Sequence, residues 1–186
     1  MRKPILVGSS VVLGLAVVIG ALAVSGFFWS VPQDKSQRPS PPAKAECKLD
    51  GHGVTIDYSS PRAKGRKIFG GLVPYGKVWR AGANEATSFV TDTDINVGGT
   101  SVPAGKYTVF TIPEESKWTL IISKKTGEWG TAYPGQSNDL ARIDMKVSKL
   151  PSPTEDFTIA LDQSGNTCVL HMDWETTRAS VDITKK

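Results

Sequence analysis

The sequence predicts an all-β domain, an antiparallel β-sandwich or jelly-roll-like barrel of about nine short strands, preceded by an N-terminal transmembrane helix. Three observations lead there. From residue 53 onward apolar side chains recur at every second position, the period of strands with one buried face. Turn-forming residues recur roughly every eight to twelve positions, the rhythm of a sandwich or barrel. Ahead of this lies an apolar run with no charged residue between Lys3 and Asp34.

That run, Ile5 to Val31, exceeds the roughly 20 residues a helix needs to cross a bilayer. Arg2 and Lys3 precede it and favour a cytoplasmic N-terminus, with everything after Val31 outside. Phe27, Phe28 and Trp29 close it where an interfacial aromatic belt would lie. The competing reading is a cleaved signal peptide, because Ala21-Leu22-Ala23 has the form of a cleavage site. A signal's apolar core is usually only about 7 to 15 residues, which favours the anchor. Residues 1–31 are thus expected to be a signal anchor, with the domain on the periplasmic or cell-surface side, or secreted if cleavage occurs near Ala23. Cys47 is too far from the run for a lipoprotein.

Residues 32–45 hold four prolines among Ser, Gln and Lys, a composition that cannot bury a core and predicts a semi-rigid spacer. The folded domain is expected over 46–186. Its strands are read from Val54 to Tyr58, Tyr107 to Ile112 and Trp118 to Ser123. Four later strands are read from the phases Ala141/Ile143/Met145/Val147, Phe157/Ile159/Leu161, Cys168/Leu170/Met172/Trp174 and Ala179/Val181/Ile183. Gly98-Gly99, Pro113 to Ser116 and Ser164 to Asn166 supply turns. Between Ser59 and Ala86 the alternation stops, and a segment with five glycines and two prolines intervenes. Structureless segments of this length are uncommon in compact domains. Ile68, Phe69, Leu72, Val73, Tyr75, Val78 and Trp79 predict that it is ordered by packing, with one helical turn.

The chain has 22 basic and 18 acidic residues, but five of the basic and one of the acidic precede residue 46, leaving 17 of each in the domain. A nucleic-acid footprint needs the excess on the folded surface, so no nucleic-acid partner is expected. The expected partners are the membrane, through residues 5–31, and an unidentified small molecule or envelope component. Cys47 and Cys168 form an even set in an oxidising compartment and predict a disulfide rather than a reactive thiol pair. Closing so long a loop removes about 4 to 5 kcal/mol of unfolded-state entropy.

KGRKIFGGLVPYGKVWRAGANEAT at 64–87, VPAGKYTVFTIP at 102–113, KKTGEWGTAY at 124–133 and DWETTRASV at 173–181 resemble a bacterial family of exported proteins known as domain of unknown function 2911. The resemblance spans essentially residues 47–184. It implies a β-rich extracytoplasmic domain, carries no catalytic residues with it, and places the cysteine pair in one branch of the family.

No G-x-S-x-G, Walker loop, H-E-x-x-H, C-x-x-C or G-x-G-x-x-G occurs, so no cofactor and no familiar nucleophile arrangement is expected. His52 and His171, taken with Asp50, Asp57 or Asp173, lack a spacing that specifies a metal, and none is expected. Asp92 and Asp94 lack the ligand series of a calcium loop. Lys64, Arg66 and Lys67 make a basic loop, either solvated or a seat for an anion or lipid headgroup.

Trp79, Arg80, Asn84 and Glu85 are the strongest constellation, combining an indole, a guanidinium fork, an amide and a carboxylate. Trp129 sits on a second loop that could converge on them. These residues, with Arg66, are the expected ligand-binding set for a sugar or a small carboxylated ligand. Two alternatives stand beside it: a hydrolase of envelope carbohydrate using Glu85 as acid/base, and a structural envelope protein in which Arg80 and Glu85 pair and Trp79 fills the core.

Overall fold

A computed structural model of the chain describes residues 34–186. Nine strands form one open antiparallel sheet: β1 (Pro42–Leu49), β2 (His52–Ser59), β3 (Ser88–Thr91), β4 (Ile95–Val97), β5 (Thr100–Val102), β6 (Gly105–Pro113), β7 (Lys117–Ser123), β8 (Asp139–Ser164) and β9 (Thr167–Lys185). Their order is β1-β2-β3-β6-β7-β8-β9-β4-β5. The expected turns stand where the glycines and prolines put them. Gly98 and Gly99 adopt φ of 54° and 83°, the left-handed backbone of a two-residue hairpin. A Cβ at Gly98 would lie 2.7 Å from Ile143, so the turn also needs the missing side chain for packing.

Two expectations are corrected. The last strands are not short: the four late apolar phases belong to two strands, β8 and β9, of 26 and 19 residues. β8 changes register around Thr154, beside Pro151 and Pro153, which lets the hairpin bend without ending. The sheet is also a single sheet rather than a closed barrel or two separate layers. It doubles over, so that the far half of the β8–β9 arm lies against β1 and β2. Tyr58 Oη exchanges hydrogen bonds with the backbone of Ile159, Ser60 Oγ donates to the Phe157 carbonyl, and Phe157 N donates to the Pro61 carbonyl. A disulfide joins Cys47 on β1 to Cys168 on β9, with Cα atoms 6.4 Å apart.

The sandwich-like interior fills with the alternating residues, among them Ile56, Phe89, Val109, Leu120, Met145, Leu170 and Ile183. β1 begins at Pro42, inside the segment expected to be a spacer, and a 3₁₀ turn at Lys35–Gln37 precedes it. Among the described residues no helix is long and apolar enough to cross a membrane. The apolar run Ile5 to Val31 lies outside the described residues.

The segment between β2 and β3 is ordered, but by turns and isolated bridges; the expected helical turn is absent. Ile68, Phe69 and Val73 are buried, whereas Leu72, Tyr75 and Val78 are exposed. Trp79 pairs with Thr111 of β6 through two backbone hydrogen bonds. Its ring stacks on Trp174 at 5.8 Å and meets Phe157 edge-on at 4.9 Å.

Candidate functional site

Directly opposed residues of antiparallel strands share a face, so the registers of β2, β3 and β6 define two rows on the outer surface. One row is Asp57, Ser88 and Thr108; the other is Thr55, Val90 and Lys106. The alternate positions Ile56, Phe89 and Tyr107 point to the core. The outward residues would form a flat, solvated sheet face but for two loops that rise over it. Ala86 N donates to the Glu128 carbonyl and Gly130 N to the Asn84 carbonyl, locking Glu85 against Trp129 in an isolated antiparallel bridge. The loop carrying Trp129 therefore does converge on the segment that follows Trp79.

Together they enclose a cleft of about 430 Å³ with Asp57, Ser88, Val90, Lys106 and Thr108 as floor and Glu85, Ala86 and Thr126 to Trp129 as walls. Trp129 is 61% exposed. Thr108 Oγ1 donates weakly to Glu128 Oε2 at 3.5 Å. A second hollow of about 280 Å³ shares Asp57, Glu85, Ala86 and Ser88 and adds Lys35 and Tyr58.

Glu85 stands between the two hollows. Lys35 Nζ lies 2.8 Å from Oε1, and Arg38 Nη1 donates to both carboxylate oxygens at 3.0 Å. The Lys35 hydrogen bond above all, then Glu85's own backbone N–H, with Arg38 adding to them against desolvation, hold its carboxyl down to about 2. Asn84, in the left-handed region at φ 56°, turns its amide to the Ser40 carbonyl at 2.9 Å. Gly82 lets the same loop lie against the end of β2: a Cβ there would meet Thr87 Oγ1 at 3.0 Å and the Ser59 carbonyl at 3.1 Å.

The other expected ligand residues go elsewhere. Trp79 is half-buried against the aromatic core, stacked on Trp174, and is not among the residues that line the cleft. Arg80 does not pair with Glu85. It follows the Trp79–Thr111 bridge and so shares the outer face with Phe110, and its buried Nε has no partner among the described residues. Burial lowers its pKa. Arg66 donates to the carbonyls of Ala63 and Arg62 and lines a separate depression. There Arg66 and Lys67 face Glu155 and Glu175, so the basic loop shares its space with two carboxylates.

The histidines are apart in role as well: His52 Nδ1 lies 3.4 Å from Asp92, and His171 Nε2 lies 2.9 Å from Asp162. His171 Nδ1 is 3.3 Å from Asp173 but out of line for a hydrogen bond, and Asp173 is held instead by the Arg178 fork at 2.8 and 2.6 Å. Among the described residues no group of three or more His, Cys, Asp and Glu is set to hold a metal ion.

Sequence reasoning thus found two of the cleft's wall residues, Glu85 and Trp129. It missed the floor and the partners of Glu85. The period of two marked Asp57 as outward-facing; nothing in it marked which outward face would be roofed.

No curated protein and no solved structure shows a significant match to the chain. The match to a family covers residues 40–183, from the approach to β1 to the pairing of β9 with β4, and so takes in the whole cleft. On that match the chain belongs to the family described as protein of unknown function DUF2911.

Proposed function

We propose that the protein is a membrane-tethered, extracytoplasmic binding module whose cleft takes a saccharide. The observation that carries this reading is Trp129, a large ring left mostly in solvent at the wall of a cleft whose charged and polar lining is carboxylates, hydroxyls and one ammonium. A sugar ring matches that mixture. Its C–H face covers an indole, while its hydroxyls both donate to Asp57, Glu85 and Glu128 and accept from Lys106 and the threonines. A small carboxylated ligand fits less well, because Arg80 is not among the cleft's residues and the cations beside Glu85 are already engaged.

The hydrolase alternative gains one observation, since Asp57 and Glu128 line the same cleft as Glu85 and provide a further carboxylate. Against it, a general acid needs a raised pKa, and Glu85 is held at about 2.

The test is calorimetric titration of the full-length chain, in a detergent without sugar headgroups, with neutral oligosaccharides. Binding should be present in the wild type and lost in Trp129→Ala, with the melting temperature unchanged because the ring is exposed. Absence of binding at millimolar sugar would overturn the reading, and release of shorter sugars on prolonged incubation would favour the hydrolase.

A further inference from the structure

The segment before β1 already places a ligand-like group at the candidate site. Lys35 extends its ammonium into the second hollow and onto Glu85, and Arg38 adds a guanidinium to the same carboxylate. Little else holds this segment down. None of Lys35–Gln37 is buried, the turn is capped by its own Asp34, and among the described residues the ties that follow begin only at Ser40 and Pro41, whose carbonyls accept from the Asn84 amide and from Ser60 N. The Lys35 pair is exposed, and such pairs are individually weak, while Arg38, with a side chain 20% exposed, is the better held of the two. The segment is therefore an easily displaced occupant.

Its displacement has a charge consequence. The cleft holds three carboxylates, Asp57, Glu85 and Glu128, against the single ammonium of Lys106. While Lys35 and Arg38 are docked, Glu85 is satisfied; once they leave, a neutral ligand would face it without a counter-charge. A ligand that brings its own ammonium restores the pairing that it removes.

Resting on the saccharide reading, we infer that the cleft selects amine-bearing sugars, and that Lys35 and Arg38 are a built-in competitor for the same carboxylate. Displacement by an amine-bearing ligand exchanges one charge-assisted contact for another, so the competitor sets apparent affinity without closing the site. Apparent affinity then falls by the fraction of molecules in which the segment is docked.

The experiment titrates the full-length chain calorimetrically with the tetramer of glucosamine, amines protonated, and with the tetramer of N-acetylglucosamine. The glucosamine tetramer should bind about tenfold tighter, which corresponds to one charge-assisted contact of about 1.4 kcal/mol. Lys35→Ala with Arg38→Ala should tighten the glucosamine tetramer roughly three- to tenfold, the worth of one exposed and one part-buried pair, and shift the acetylated one by less than about twofold. Glu85→Gln, a near-isosteric change, should erase the preference between the two while retaining binding. Equal binding of the two tetramers by the wild type, or a double variant that melts normally yet leaves the glucosamine affinity unchanged or weaker, would overturn the inference and leave the saccharide reading standing. Binding of neither tetramer would overturn both.

Discussion

Arg80 and Glu85 lie in one short stretch of sequence and invite pairing, yet the backbone sends them apart. The left-handed turns at Ala81 and Asn84, with Gly82 between them, reverse the chain, so that Glu85 meets Trp129 and the N-terminal segment while Arg80 stays beside Phe110. A guanidinium partly withdrawn from water and, among the described residues, without a counter-charge destabilises the fold, and an apolar isostere relieves that cost. Arg80→Met should therefore leave stability unchanged or raise it by about 1 kcal/mol in urea melts; a loss of about 3 kcal/mol would show a partnered, structural arginine. Glu85 has the opposite sign. Its folded pKa of about 2 lies below the ordinary 4.5, so its contribution is complete above about 4.5 and vanishes as pH falls through about 2. Because the side chain is 38% exposed, that contribution is screened to at most about 1 kcal/mol. Melts of wild type and Glu85→Gln should differ slightly at pH 6 and converge near pH 2. These fates were not legible in the residues themselves, because positive φ at a non-glycine such as Ala81 has no compositional mark.

At the scale of elements, the period of two located β2, β6, β7 and both halves of β8 and β9. It failed between them. Residues 148–156, rich in Ser, Pro, Lys and acids, show no alternation, but the β8–β9 hairpin continues through them on the surface, where no side of the strand is buried and no alternation is required. β1 was hidden for another reason: Ala45, Cys47 and Leu49 alternate inward, but its start is masked by prolines that a first strand position tolerates. The cysteine pair was legible because compartment and number left little choice. It now has a mechanical meaning: it clamps the bent arm onto β1 across a separation of 121 residues. Reduction, or Cys47→Ser with Cys168→Ser, should cost about 4 kcal/mol in a urea melt, as the loop-closure entropy predicts. A loss below about 1 kcal/mol would mean that packing alone docks the arm.

For the whole molecule, the cleft exists only because the outer face of β2, β3 and β6 is met by two loops distant in sequence, one before β3 and one after β7. Composition announces the sheet, and the aromatic and charged residues announce the loops; their meeting is a product of the strand order. The proposed placement outside a membrane is tested by adding protease to intact spheroplasts. The described domain should be digested without breaking the membrane, and protection until lysis would reverse the topology.

An open sheet has two ends, and one end of this one carries a substitute neighbour. Among the described residues no further strand lies beyond β1, but the Gln163 amide donates to the Lys48 carbonyl at 2.7 Å and accepts from the Lys48 N–H at 3.3 Å, just as an adjoining backbone would. The opposite end, β5, is only three residues long. A free, regular edge is a template on which a second chain can polymerise, and Gln163 blocks this one at Lys48. Gln163→Ala should melt within about 1 kcal/mol of the wild type, yet show scattering that grows with concentration and storage time. The edge it uncovers would accept strands from other copies, and fibrils seeded there would incorporate the variant faster than the parent chain.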